Sequence, residues 1–189
     1  MAAGSGGGTR AVAPVLGMDA GYTVTDMNTA MLERAAARQP EDARIEWRPA
    51  DALDLPFPNT SFDLVLCQFG AMFFPDRVRA YREVRRVLRP GGSFVYNMWD
   101  RIETNEFAHV VTRSPAGVFP DDPPDFLSRT PHGHYDTAVY QKELTEAGFV
   151  TIALNRMTAA SVADEPSGPA IAYCQGDSAA KRDRGACRT

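Results

Sequence analysis

Apolar positions along this chain recur with two periods, and the two alternate. Over residues 29–38, Met31, Leu32 and Ala35 fall three to four apart, which predicts one helix face, and Asn28 stands where it can cap the first turn. Over 75–88, Val78, Tyr81, Val84 and Leu88 share one side and predict the clearest helix of the chain, stopped by Pro90-Gly91-Gly92. Short β-favouring runs stand at 22–25, ending on Asp26 ahead of the first of these helices, and at 44–48 between the two, where Ile45 and Trp47 alternate. A third run at 62–67 is largely apolar, as a parallel strand buried on both faces should be, and a fourth follows at 93–98. Helices are further predicted over 9–16, 104–111 and 136–147, the last closed by Gly148, with a strand over 149–154 and a helix beginning within 166–173.

Helix and strand in alternation predict an α/β fold: a doubly wound, Rossmann-like sheet with helices on both faces. Residues 113–137 break the alternation with five prolines and read as an ordered loop or lid. Residues 176–189 are polar and lack an apolar face, so a frayed tail is expected there. The domain division that follows is a principal domain over 1–163, incomplete at its N-terminus, and a partial helix with tail over 164–189.

Composition changes this picture little. With 189 residues, 44% of them hydrophobic and 23% charged, the chain can build one domain around a single core. Net charge is −4, and no long basic stripe is available to neutralise phosphates, which argues against a nucleic-acid partner. Arg77, Arg79, Arg82, Arg85, Arg86 and Arg89 share their segment with an apolar stripe and read as a solvated helix face. Cys67, Cys174 and Cys187 are odd in number and widely spaced, giving neither a disulfide framework nor zinc spacing, and no metal site is expected. With no run of about 18 apolar residues and no export signal, the expectation is a cytoplasmic protein away from the membrane.

Candidate chemistry starts at the first residues. Ala2-Ala3-Gly4-Ser5-Gly6-Gly7-Gly8-Thr9 is a glycine loop whose backbone can turn tightly and approach a ligand, with helix amides facing the same spot if a helix starts near Gly8. Asp26 lies 22 residues after Gly4, at the end of the next strand, where a carboxylate can accept from both ribose hydroxyls. Asp51 follows 25 residues later, where it can accept from an adenine amino group, with Leu53 or Met27 against the ring. The run supplies Gly4, Gly6 and Gly8 rather than the dinucleotide G-x-G-x-x-G, and no Gly-Lys-Ser/Thr follows for a Walker-type site.

These segments resemble the class I S-adenosylmethionine-dependent methyltransferases, and among them the ubiquinone/menaquinone-biosynthesis-like group called methyltransferase domain type 11. The matching stretches are Ala2-Ala3-Gly4-Ser5-Gly6, Val24-Thr25-Asp26-Met27-Asn28 with Met31-Leu32, Asp51-Ala52-Leu53-Asp54-Leu55-Pro56-Phe57, Ser61-Phe62-Asp63-Leu64-Val65 and Val87-Leu88-Arg89-Pro90-Gly91-Gly92. Cys67-Gln68-Phe69-Gly70 and Met72-Phe73-Phe74-Pro75-Asp76 fit one subgroup. The resemblance implies S-adenosyl-L-methionine as cofactor, with Gly4 and Gly6 behind its methionine part, Asp26 and Met27 at its ribose and ring, Asp51 and Ala52 facing adenine, and Gln68 where cofactor and substrate meet. It also implies a strand before the glycines, ending in an acidic residue, that would precede Met1, so the chain reads as truncated there and as divergent from Asp177 onward.

The function expected is methyl transfer to a small-molecule acceptor, of hydrophobic character if Phe69, Met72, Phe73 and Phe74 line its pocket. An inactive or partner-completed fragment, and a nicotinamide-dependent oxidoreductase, are the alternatives. Arg129, His132, His134 and Tyr135, with Trp99 and Asp100 after the fourth strand, are candidates for acceptor contact, while His109 reads as a helix-surface residue. No catalytic base is assigned, and the oligomeric state is left open.

Overall fold

Four parallel strands and their helices come from the first hundred residues. In the computed structural model, which describes residues 1–175, they are β1 (Tyr22–Asp26), β2 (Ile45–Pro49), β3 (Phe62–Gln68) and β4 (Leu88–Asn97), with helices α1 (Gly7–Val12), α2 (Thr29–Ala37) and α3 (Arg77–Val87). Later helices are α4 (Glu106–Arg113), α5 (Phe126–Arg129), α6 (Thr137–Glu146) and α7 (Ser167–Gln175). The described residues divide into two units: Met1–Met98 with Thr137–Ile152, and Trp99–Asp136 with 153–175.

In the first unit the parallel sheet is present as two pairs. β1 runs beside β2, with Asp26 opposite Pro49, and β3 beside β4, with Gln68 opposite Asn97. Residues 1–3 bridge the pairs: the Met1 amino group donates to Leu66 O at 2.6 Å and the Ala3 amide to Thr25 O at 3.0 Å. Burial of that amino group pushes its pKa down.

The caps are those the sequence supplies. Asn28 accepts from the Met31 amide at the start of α2, and Asp76 from the Arg79 amide at the start of α3. Leu32 and Ala35 are the buried positions of α2, as its period requires. On α3, Ala80, Tyr81, Val84 and Val87 are buried; Val84 and Val87 pack with Leu55, Val65 and Leu88. Tyr81 joins Cys67, Ala71, Leu144 and Ala147 in a second cluster. Phe57 and Phe62 meet edge to face at 5.0 Å beside the first cluster, in the core role their hydrophobicity predicts. On the opposite face of β3 and β4, Leu64 and Val95 are about half exposed.

The arginines of α3 and its flank are engaged rather than merely solvated. Arg77 pairs with Glu143, Arg82 with Glu146, Arg86 with Glu83 and Arg89 with Asp63. Arg44 plays a different part. Its guanidinium donates to the carbonyls of Ala13, Leu16 and Gly17 and to the Asp42 carboxylate, fastening the segment after α1 to the entry of β2. Hydrogen bonds from Arg44 hold Asp42 down to a pKa of about 2. A carboxyl depressed on folding contributes fully above its unfolded value and loses that contribution as pH falls through the folded one. The pairing therefore holds above about pH 4 and fades towards pH 2. An NMR titration should place the Asp42 midpoint near the low value, and Arg44→Ala should raise it towards the ordinary carboxylate range, the bond from the backbone amide of residue 44 remaining.

Two expectations fail. Residues 149–154 form no strand: Val150 is 96% exposed and no neighbouring strand offers a ladder. Pro90-Gly91-Gly92 does not separate helix from strand either, because α3 ends at Val87 and β4 already begins at Leu88. The glycines are absorbed by a register shift between Phe62 and Leu64, with Gly91 at φ 81°. The predicted loop over 113–137 contains the short helix α5, and residues 176–189, expected as a tail, lie outside the described residues. Among the described residues no helix is long and apolar enough to cross a membrane, and no cluster of three or more His, Cys, Asp or Glu could hold a metal ion.

Candidate cofactor-binding site

Within each parallel pair the strands end together, Asp26 beside Pro49 and Gln68 beside Asn97, and the glycine loop touches both ends, through Asp26 and through Gln68. Asp26 closes β1, and both its oxygens are engaged: Oδ2 accepts the Gly4 amide and Oδ1 the Asn28 amide, each at 2.8 Å. The first bond brings the glycine loop to the strand end. Ionised carboxylate oxygens have about four lone-pair sites between them, so two amides leave acceptor capacity for a ligand's hydroxyls.

The loop itself is shaped by left-handed backbone at Gly4 (φ 53°) and Gly6 (φ 79°). At Gly4 the space a side chain would take is open, whereas a Cβ on Gly6 would stand 2.8 Å from Ala35 Cβ. Gly4 therefore presents bare backbone outward, and Gly6 lets the loop lie against α2. Gly6→Ala should destabilise the protein by about 2 kcal/mol, from the left-handed penalty and the overlap with a buried neighbour; chemical denaturation measures it.

Just past β2 the Ala50 amide donates to Asp26 O, and Asp51 follows, exposed, with Oδ1 accepting the Leu53 amide at 2.9 Å. Ala52 is half-buried, and Met27 is 74% exposed beside Asp26. From β3, Gln68 reaches the loop: a Cβ on Gly8 would stand 2.8 Å from Gln68 Oε1. Phe69 comes next, at φ 50°, its amide donating to Asn97 Oδ1 at 2.8 Å. Cys67, buried beneath, has its thiol pKa pushed up by desolvation. The predicted Gly4, Gly6, Asp26, Met27, Asp51, Ala52 and Gln68 thus lie on the loop or at neighbouring strand ends. α1, at six residues, is shorter than the predicted 9–16 helix and starts at Gly7.

A family model described as "Methyltransferase domain" matches residues 1–96, just over half of the 189 residues. The chain belongs to the methyltransferase domain family. The 27-O-demethylrifamycin SV methyltransferase of Amycolatopsis mediterranei is 33% identical over 121 residues, which are 62% of this chain and 41% of that protein. The ubiquinone/menaquinone biosynthesis C-methyltransferase UbiE of Coxiella burnetii is 32% identical over 98 residues, 50% of this chain and 39% of that one. The match thus spans about two fifths of the length of these relatives. Among solved structures, an S-adenosylmethionine dependent methyltransferase from Mesorhizobium loti aligns with a TM-score of 0.54 at 23% identity, over 78% of this chain and 71% of that one. This likeness is one of fold, and the α/β, Rossmann-like methyltransferase fold expected from the sequence is the one observed.

The cofactor of the methyltransferase domain family is S-adenosylmethionine. The site's own features suit that group: open space over a bare Gly4 backbone, a carboxylate with acceptor capacity beside it, and a second carboxylate just past the next strand.

The candidates for acceptor contact lie in the second unit. There the structure brings Trp99, Asp100 and His132 together: His132 is buried, its Nδ1 is 2.8 Å from Asp100 O, and its ring lies 5.8 Å from that of Trp99. Arg101 stacks on Tyr135, Asp100 pairs with Arg156, and Arg129 pairs with Asp125 at the exposed end of α5. His109 is half-buried on α4. Met72, offered as a pocket residue, is buried in the core at 3% exposure. Sequence reasoning missed Asn97 and the Gly8–Gln68 contact; the available signal for Asn97 was a lone amide where β4 ends.

Proposed function

We propose that this chain uses S-adenosylmethionine to methylate a small-molecule acceptor. The observation that carries the reading is the Gly4–Asp26 bond, which places a ligand-facing backbone and an ionisable acceptor side by side at the end of β1. In this reading Asp26 accepts from the ribose hydroxyls, Met27 flanks them, and Gly4 and Gly6 shape the floor under the methionine part. Asp51 and Ala52 meet the adenine, and Gln68 stands on the side from which the acceptor approaches. When bound, the cofactor supplies an electrophilic methyl group on a sulfonium, so the protein's task is alignment and exclusion of water. No side chain is required to form a covalent bond.

A small-molecule acceptor agrees with the names of the two relatives and with a net charge of −4. Thermal shift with three ligands tests the cofactor assignment. S-adenosylmethionine and S-adenosylhomocysteine should each raise Tm in a concentration-dependent way, and NADH should not. A shift with NADH alone would replace this reading with an oxidoreductase.

A further inference from the structure

We propose that Asn97 is a positioning residue, which by accepting the Phe69 amide holds the end of β3 in a strained turn and so sets Gln68 against the glycine loop. The inference rests on the cofactor site proposed above, to which nothing else assigns Asn97 a part.

Phe69 adopts φ 50°, a left-handed backbone that a bulky L-residue rarely takes. Such conformations persist only where the surroundings over-determine them. The constraints here are visible. Gln68 and Asn97 face each other in the parallel register, and the Asn97 side chain crosses to the next residue, with Oδ1 2.8 Å from the Phe69 nitrogen. Just beyond, Gly70 is so tightly enclosed that a Cβ there would stand 2.5 Å from Ala2 Cβ and 3.0 Å from Cys67 Sγ. Ala2 itself has φ 51°, so two left-handed non-glycine residues meet where β3 abuts the glycine loop. Gln68 is the residue this turn aims, and it lies against Gly8. The strand end is therefore held on one side by loop packing and on the other by one amide oxygen.

A mutant cycle separates strain from simple packing. Phe69→Ala and Phe69→Gly both remove the ring, but only alanine retains the left-handed penalty. Phe69→Gly should therefore melt about 3 °C above Phe69→Ala. Asn97→Ala should lower Tm in the otherwise unchanged protein and lower it less in the Phe69→Gly background, because glycine reaches this φ unaided. Asn97→Ala should also weaken S-adenosylmethionine binding about fivefold, read by titration calorimetry, and Asn97→Asp, which keeps an accepting oxygen, should restore most of it. Equal Tm loss in both backgrounds, or a Tm loss with unchanged cofactor affinity in Asn97→Ala, would overturn the proposal. If the unaltered protein bound no S-adenosylmethionine, the cofactor reading would fail on its own, and the Tm cycle would still decide whether Asn97 holds the turn.

Discussion

Asp26→Ala is expected to weaken S-adenosylmethionine binding about 100-fold, equivalent to ~2.7 kcal/mol. The size follows from what one side chain holds. Its two oxygens accept the backbone amides of Gly4 and Asn28 at 2.8 Å, so the substitution removes two charge-assisted bonds and frees the glycine loop from the strand end. In the proposed complex the same oxygens meet ribose hydroxyls, so the loss falls on both the loop and the ligand. Asp26→Asn keeps one accepting oxygen and one of the two backbone bonds, and should lose about tenfold. Titration calorimetry reads both variants. Affinity in Asp26→Ala within twofold of the unaltered protein would remove Asp26 from the site.

The largest effect on stability is expected at Glu143. Its carboxylate takes Arg77 in a bidentate grip, Nε to Oε2 at 2.8 Å and Nη2 to Oε1 at 2.5 Å, joining α6 to α3. Both side chains are mostly removed from water, at 14% and 16% exposure. The Arg77 pKa is raised, chiefly by the hydrogen bonds its guanidinium donates to Glu143. Glu143→Ala strands the guanidinium without a counter-charge and should cost about 3 kcal/mol, a fall in Tm of roughly 6–12 °C. Replacing both partners with apolar residues, Arg77→Met with Glu143→Leu, should recover most of it, because no unpaired charge then remains. A single-variant loss below about 0.5 kcal/mol, the range of an exposed pair, would show that water reaches these groups.

How far the sequence carried the fold differs from element to element. β1, β2, β3, α2 and α3 were legible because each has a clean hydrophobic pattern, with Asn28 marking the start of α2. The run over 149–154 had composition without a partner, and a strand is made by its neighbours as much as by its residues. Pro90-Gly91-Gly92 was misread for a related reason: local chemistry says turn, but pairing with β3 absorbs the irregularity as a register shift. Near the proposed site, spacing placed the glycine loop beside Asp26 and Asp51 just past the second strand, which is where the structure has them. Asn97 was not legible, because its role depends on the backbone angle of Phe69 and on a register between strands, neither of which a linear reading contains.

One arginine braces the segment that follows the glycine loop and α1. Because Arg44 clasps the carbonyls of Ala13, Leu16 and Gly17 from behind, the far end of α1 is moored to the root of β2. That clasp lies on the C-terminal side of α1, while Gly4, over which the space is open, precedes the helix. A molecule arriving there meets a surface already braced from the rear, so little configurational freedom remains to be surrendered on capture.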